Sequence, residues 1–211
     1  MKPSELIRKG PQTTEDLIGK ARSVAQVYHA KAKSGDTDPI KLLCYGPPGV
    51  GKSATCRIIA NALAIHPSSI SHLSASELTV DQVKGWMHEF GYHHEQWRVF
   101  WIEEVDAVNP AVEVLLLQFI DKMPDKHAIL VTSNEKMSGI EDRFQSRMQA
   151  IRFDHPEVDD VEKFLIGRWP ELGIIVREIA EANNGDVRAS LNDVQGELDL
   201  RKFGIKQGEG K

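Results

Sequence analysis

Residues 46–53 read Gly-Pro-Pro-Gly-Val-Gly-Lys-Ser, and this stretch decides the fold of the chain. It fits the pattern Gly-x-x-x-x-Gly-Lys-Ser/Thr, in which glycines let backbone N–H groups converge on an anion. An apolar run at 41–45 precedes it and a helical pattern at 54–63 follows it. The stretch therefore predicts a loop between a buried strand and a helix whose positive N-terminus faces bound phosphate groups.

The residues of this loop have distinct predicted roles. Lys52 is expected to reach the β- and γ-phosphates of a nucleotide, and the Ser53 hydroxyl is expected to coordinate Mg²⁺. The rest of the loop is expected to surround the phosphates with backbone N–H groups. The sequence thus predicts ATP or ADP with Mg²⁺ as ligands, and the nucleotide would be held by Gly46, Pro47, Pro48, Gly49, Val50, Gly51, Lys52, Ser53 and Ala54.

Composition limits the class of protein. The 211 residues are 41% hydrophobic and 27% charged, which is ordinary for a soluble globular chain. The net charge of −5 argues against a strongly basic nucleic-acid-binding monomer. It leaves open DNA contact through a local patch or through a channel between several copies.

Membrane, targeting and redox signals are missing from the sequence. No apolar run approaches the ~20 residues of a membrane span, and residues 1–10 lack the apolar core of a signal peptide. The two cysteines, Cys44 and Cys56, fall in a predicted strand and a predicted helix. We therefore expect buried free thiols, no disulfide framework or zinc site, no membrane contact and a cytoplasmic location.

Strand and helix patterns alternate along most of the chain. The strand patterns lie at 41–45, 70–74, 98–103, 128–133 and 150–153, and the helical patterns at 13–34, 52–64, 78–90, 110–121 and 139–146. Such alternation predicts an α/β fold in which helices cover both faces of a five-stranded, mostly parallel sheet. We assign this αβα core to residues 10–154.

The strand signal stops after Pro156. Three helical patterns follow, at 157–168, 173–183 and 187–203, and predict a small three-helix lid domain over residues 155–204. Residues 1–9 and 205–211 are predicted to be flexible termini, because the last segment is polar and Gly-rich and the first has no clear pattern.

An apolar strand at 98–103 ends in a group of acids that includes Glu103, Glu104 and Asp106. A phosphate-binding loop needs a neighbouring strand of this kind, whose first acid holds Mg²⁺ through water and whose second activates the attacking water. We predict that Glu103 is the outer-shell Mg²⁺ ligand and that Glu104 is the base. The alternative is an ordinary solvated acidic turn.

Three further polar residues are candidates for the same site. Asn134 ends the strand at 128–133 and could position the water, or it could be a turn residue. Arg147 ends a helix, where it is either a surface charge favoured by the helix dipole or an arginine finger that acts on another subunit's γ-phosphate. Arg188 lies in the first turn after Asp186, a predicted N-cap, and this unfavourable place is explained if it meets an anion such as a phosphate.

The segment 86–97 is rich in histidine and aromatic residues. It contains His88, His93 and His94 together with Trp86, Tyr92 and Trp97. Metal binding and contact with a partner protein or with DNA bases through exposed aromatic rings are both open alternatives.

Together these motifs resemble the AAA+ ATPase superfamily, and most of all its clamp-loader group, the replication factor C small subunits. The loop at 46–53 and the acidic strand end at 102–106 resemble its two nucleotide motifs. Asn134 matches the first sensor, and Ser146-Arg147 matches the Ser-Arg-Cys finger motif with Met148 in place of cysteine. The resemblance covers residues 10–203.

Two more segments carry the resemblance. Residues 185–192, Gly-Asp-Val-Arg-Ala-Ser-Leu-Asn, resemble the second sensor, which implies that Arg188 senses the γ-phosphate. Residues 11–19, Pro-Gln-Thr-Thr-Glu-Asp-Leu-Ile-Gly, resemble the entry segment, which implies that Leu17 and Ile18 border the adenine. The resemblance also implies that the chain self-associates through Arg147 and acts with a sliding clamp or another DNA-metabolism protein.

The chain departs from the family pattern at several places. Glu103 stands where the family has aspartate, so we expect slow hydrolysis or a shifted metal geometry. Residues 8–11, Arg-Lys-Gly-Pro, replace a segment that usually carries an aromatic residue. The collar domain of clamp-loader subunits is not predicted within this sequence, so we expect ring assembly to differ from the usual pentamer.

These features favour one function over two others. The leading hypothesis is a Mg²⁺-dependent, oligomeric ATPase that loads or remodels a partner on DNA. The alternative is a nucleotide-dependent assembly switch with slow or vestigial hydrolysis, which Glu103 and the absent collar favour. A kinase that uses the same loop fits less well, because the acidic pair and the two downstream arginines are typical of an oligomeric ATPase.

Overall fold

A computed structural model describes residues 2–91, 96–134 and 140–203. In chain order its elements are α1 (Pro3–Lys9), α2 (Gly19–Lys33), β1 (Ile40–Tyr45), α3 (Lys52–Leu63), β2 (Ile70–Ser74), α4 (Val80–Glu89), β3 (Arg98–Glu103), α5 (Pro110–Lys122), β4 (His127–Ser133), α6 (Ile140–Gln145), β5 (Gln149–Arg152), α7 (Val158–Arg168), α8 (Ile175–Ala182) and α9 (Val187–Phe203). None of these helices is both long and apolar enough to cross a membrane.

The strands of the described chain form one sheet in the order β2-β3-β4-β1-β5, and every pairing is parallel. Tyr45 at the end of β1 is level with Ser133 at the end of β4, and Ile102 of β3 is level with Val131 of β4. The carboxyl ends of the strands therefore lie along one edge. The predicted α/β class with a five-stranded parallel sheet is confirmed.

Separate apolar clusters cover the two faces of the sheet. One packs α2 and α3 against β1, β3 and β4, and the other packs α4 and α5 on the opposite face. Cys44 and Cys56 lie in the first cluster, fully buried, with their Sγ atoms 3.9 Å apart and both thiols free. The expectation of buried free thiols is confirmed.

The histidine- and aromatic-rich segment does not present all of its aromatic rings to solvent. Trp86 is buried, and its ring lies 4.9 Å from Phe100 and 5.9 Å from Phe119, because the helical spacing of α4 turns it toward the sheet. Trp97 packs partly buried against the other cluster. Residues 92–95, which include Tyr92, His93 and His94, lie outside the described residues.

The helices after β5 share an apolar core of their own. Val161, Leu165 and Trp169 of the α7 region pack with Val176 of α8 and Leu191 of α9. This cluster also contains Leu6, which comes from the opposite end of the sequence.

The expectation that residues 1–9 are flexible is wrong for Pro3–Lys9. These residues form α1, which packs on α9, and Leu6 is only 2% exposed. Ser4 N–H donates to Gln195 Oε1 at 2.9 Å. A helix this short is marginal by itself and is stabilised by tertiary packing, which the local sequence does not reveal. The predicted flexible segment 205–211 lies outside the described residues.

Replacement of Leu6 by alanine tests whether α1 is part of the fold. We expect Leu6→Ala to lower the free energy of unfolding by about 2–3 kcal/mol, because it leaves a cavity in a buried cluster. The matched control is Ile174→Ala, since Ile174 is 88% exposed; it should change stability by less than about 0.5 kcal/mol. Urea denaturation followed by circular dichroism measures both, and equal midpoints would show that α1 does not stabilise the protein.

Candidate nucleotide-binding site

A cavity of about 450 Å³ opens at the carboxyl edge of the sheet, between the parallel strands and the C-terminal helices. Its volume is within the usual range for small-molecule sites. The walls of this cavity contain most of the site residues that the sequence predicts. They are Leu17, Ile18, Pro48, Gly49, Val50, Gly51, Lys52, Ser53, Ala54, Glu103, Glu104, Asn134 and Arg188. The structure thus brings together residues that are up to 171 positions apart in sequence (188 − 17).

The loop between β1 and α3 has the backbone shape that the motif predicts. Gly46, Gly49 and Gly51 all have positive φ, at 136°, 81° and 93°. A Cβ atom at Gly46 would collide with the carbonyl of Phe153. Glycine is therefore required for the loop to pass this close to the end of β5.

Lys52 is buried inside the loop. Its Nζ donates to the carbonyl oxygens of Gly46 and Pro47 at 2.6 Å each, and it lies 3.4 Å from Oδ1 of Asn134. Burial lowers the pKa of Lys52. Gly46 and Pro47 thus contribute carbonyl oxygens that accept hydrogen bonds from the Lys52 ammonium group. A bound phosphate group would give this desolvated cation an anionic partner.

The acidic end of β3 has a strained backbone. Glu104 has φ 55° and ψ 56°, a left-handed conformation that costs a non-glycine residue about 1–2 kcal/mol. Its N–H donates to Thr132 Oγ1 at 3.1 Å, and the Asn134 N–H donates to Asp106 Oδ1 at 3.4 Å. The ends of β3 and β4 are therefore bonded to each other beside the loop. Sequence patterns did not identify Thr132, because a polar residue in a fully buried strand carries no local signal.

The N-terminal segment forms one wall of the cavity. Ile7, Arg8 and Gly10 line it beside Leu17 and Ile18. This wall therefore lies beside Leu17 and Ile18, for which the resemblance implied an adenine contact. The sequence offered a usable signal for α1, since Pro3 stands at the first helical position and glycine follows the last.

Arg57 of α3 holds this segment in place. Its guanidinium donates to the carbonyl oxygens of Lys9 at 2.7 Å and Pro11 at 2.8 Å. Burial lowers the pKa of Arg57. Gly10, with φ 66°, passes so close that a Cβ atom there would collide with the guanidinium. The helix that begins at the phosphate loop thus also anchors the N-terminal wall.

The first turn of α9 closes the other side of the cavity. The predicted cap is observed, since Asp186 Oδ1 accepts the Ala189 N–H at 3.0 Å. The same carboxylate sits against Gly49 of the loop. Arg188 lines the cavity and makes no hydrogen bond or ion pair within the described residues. Arg188 is thus an exposed cation on the wall of the cavity, and its phosphate-sensing role stays a prediction.

A second contact joins the C-terminal helices to the entry segment. Arg168 of α7 donates to Asp16 Oδ1 at 2.7 Å. Burial alone would raise the pKa of Asp16, but the N–H groups of Gln12 and Thr13 and the guanidinium of Arg168 together lower it. The Asp16 carboxylate therefore accepts hydrogen bonds both from the entry segment and from α7.

Arg147 lies outside the cavity. Its Nε is 3.1 Å from an oxygen of Asp121, and its terminal nitrogen donates to the Arg143 carbonyl at 3.0 Å and to Ser146 Oγ at 3.1 Å. Its side chain is about one third exposed. Arg147 therefore does not reach the nucleotide loop of its own chain, and a role in hydrolysis stays a prediction that requires a second copy.

The oxygen donors in the cavity fit Mg²⁺. Ser53 supplies a hydroxyl at the start of α3 and Glu103 a carboxylate on the adjacent strand. Within the described residues, no cluster of three or more His, Cys, Asp or Glu forms an all-protein metal site. One hydroxyl, one carboxylate and the phosphates of a nucleotide are a typical ligand set for Mg²⁺.

Alanine at Gly49 tests the contact between the loop and α9. Both Gly49 and Gly35 have positive φ, 81° and 77°, but a Cβ atom at Gly35 would meet open space. We therefore expect Gly49→Ala to weaken binding of a fluorescent ATP analogue about tenfold or more, because the loop and Asp186 must separate. Gly35→Ala, which carries the same backbone strain, should bind as wild type does. Equal affinities would show that the contact does not support nucleotide binding.

Comparisons with known proteins agree with this geometry. The replication factor C large subunit of Thermococcus kodakarensis is 24% identical over 197 residues, which cover 88% of this chain and 38% of that protein. Replication factor C subunit 4 of Encephalitozoon cuniculi is 24% identical over 194 residues, which cover 88% of this chain and 62% of that protein. The chain thus spans less than two thirds of the length of these relatives.

Solved structures and a family model complete the comparison. The Holliday junction branch migration motor RuvB of Thermotoga maritima shares the fold, with a TM-score of 0.69 and 22% identity over 92% of this chain and 66% of that chain. The model of the ATPase family associated with various cellular activities (AAA) matches residues 42–155, more than half of the sequence. The resemblance predicted from the motifs is confirmed, and the chain belongs to the AAA family of ATPases.

Proposed function

We propose that this chain binds and hydrolyses ATP with Mg²⁺ as one subunit of an oligomeric, clamp-loader-like ATPase. The observation that carries the proposal is the convergence of Lys52, Glu104, Asn134 and Arg188 on one cavity. They are the polar groups that phosphoryl transfer to water requires.

Each group has a role that follows from its place. Lys52 and Arg188 neutralise charge on the transferred phosphoryl group, and Asn134, which is hydrogen-bonded to Lys52, orients the attacking water. Glu104 accepts the proton of that water as its oxygen attacks the γ-phosphorus and the bond to ADP breaks. Ser53 and, through water, Glu103 would hold Mg²⁺, which would supply neutralisation of phosphate charge.

Assembly would complete the site. Arg147 follows α6, lies outside the lining of its own cavity and is partly exposed, so that a neighbouring copy could receive it. Its hydrogen bonds to Asp121 and to the Arg143 carbonyl restrict the guanidinium before assembly. We propose that Arg147 stabilises the transition state of ATP bound to the adjacent subunit.

The biological setting is proposed from the relatives. Replication factor C subunits and RuvB are DNA-metabolism ATPases, so we propose a role in DNA replication or repair, with a sliding clamp or another DNA-bound protein as partner. A second function is favoured by the identity of residue 103, because Glu103 stands where the resemblance implies aspartate. In that case ATP holds an assembly together and hydrolysis is slow.

Replacement of Glu104 separates these two functions. Glu104→Gln should bind ATP as wild type does and hydrolyse it at least about a hundredfold more slowly, because the amide does not accept the proton of water. Phosphate release measured with and without primed DNA gives the rate, and fluorescent ATP gives the affinity. A wild-type rate no higher than that of Glu104→Gln, with ATP bound, would reject the hydrolysis proposal and leave the assembly switch.

Mixing two inactive variants tests the role of Arg147 in trans. Arg147→Ala lacks the finger and Lys52→Ala lacks the phosphate-binding cation, so each alone should lose at least about a thousandfold in rate. An equimolar mixture should regain activity, because Lys52→Ala subunits supply Arg147 to intact cavities. Arg177→Ala, at another partly exposed arginine that pairs with carboxylates, is the matched control and should stay active. A mixture with no regained activity would contradict the trans role.

A further inference from the structure

The edge strand β2 contributes a histidine to the cavity that the sequence motifs did not identify. His72 is level with Trp101 of β3, and their rings stack with centroids 3.7 Å apart and planes within 10°. Trp101 is buried and His72 is partly exposed. The imidazole thus lies flat on a ring that is itself fixed in the core, which restricts its position although one side faces solvent.

The same imidazole meets the first acid of β3. His72 Nε2 lies 3.3 Å from Glu103 Oε2, a distance at which a ring N–H can donate to a carboxylate. Trp101 and Glu103 are two residues apart and therefore on one face of the sheet, so Glu103 leans back along the strand toward His72. Oε1 of Glu103 has no hydrogen-bond partner within the described residues.

The length of the glutamate side chain makes this contact possible. An aspartate at the same position would withdraw the carboxylate by about one C–C bond, ~1.5 Å, which is beyond hydrogen-bonding distance of the imidazole. The backbone at this point does not adjust freely, since the Glu103 carbonyl accepts the Ala75 N–H at 2.8 Å. The contact between His72 and residue 103 therefore depends on glutamate, and not aspartate, at this position.

We infer that His72 is a positioning residue for Glu103. Its imidazole, stacked on Trp101, holds one carboxylate oxygen of Glu103 and leaves the other available to the water shell of a metal ion that Ser53 and the nucleotide would hold. The longer side chain of Glu103 thereby extends back along β3 toward His72, and its extra methylene does not displace the metal. This inference rests on the proposed Mg²⁺-dependent nucleotide site.

A double-mutant cycle on Mg²⁺-dependent binding tests the inference without measuring hydrolysis. The measured quantity is the ratio of the dissociation constants of a non-hydrolysable fluorescent ATP analogue in EDTA and in Mg²⁺. We expect His72→Ala to lower this ratio about fivefold to tenfold and to leave the constant in EDTA unchanged. Glu103→Asp should lower the ratio similarly, and His72→Ala should have no further effect in the Glu103→Asp background.

Two controls separate positioning from folding. His72→Gln keeps an N–H donor and should retain more of the Mg²⁺ effect than His72→Ala. His66→Ala removes an exposed histidine outside the cavity and should match wild type. An unchanged ratio for His72→Ala, or the same loss in both Glu103 backgrounds, would overturn the inference. Failure of the wild-type protein to bind the analogue at all would instead reject the proposed function.

Discussion

The parallel pairing of β3, β4 and β1 is the constraint on which the site depends. Because the three strands run in one direction, the phosphate loop, the acids after β3 and Asn134 after β4 all meet at one edge. The Glu104 N–H bond to Thr132 and the Asn134 N–H bond to Asp106 then hold the strand ends together. A register shift of one residue in β4 would turn Thr132 and Asn134 away from these partners.

Charge and strain are concentrated where a nucleotide is proposed to bind. Lys52 is a desolvated cation bonded only to dipoles, Arg188 has no anionic partner within the described residues, and Glu104 holds a left-handed backbone. The burial of the Lys52 ammonium group and the left-handed backbone of Glu104 each cost free energy. Their coincidence in one cavity is typical of a preorganised site, in which a bound triphosphate offsets costs that the fold already carries.

Local sequence was sufficient for the parts of the protein that depend on backbone chemistry. The glycines of 46–53 predicted the loop because glycine adopts positive φ values without steric cost, and strand–helix alternation predicted the parallel sheet. The position of each acid or amide at a strand end predicted Glu103, Glu104 and Asn134 as neighbours. Asp186 was predicted as a cap because its neighbours in sequence are also its hydrogen-bond donors.

Contacts between distant segments were decided only by the tertiary structure. The side chain of Leu6 packs in a cluster with residues more than 150 positions away, and Arg57 and His72 act through partners on other elements. Residues 1–9 carry the capping signals of a short helix but none for its packing on α9, and a lone histidine in a short strand carries no chemical signal. The sequence by itself determined the loop, the sheet and the place of Glu103, Glu104 and Asn134 at the strand ends, because these follow from local backbone and strand-end rules. The N-terminal wall and the support of Glu103 required the fold, because packing between remote elements creates them.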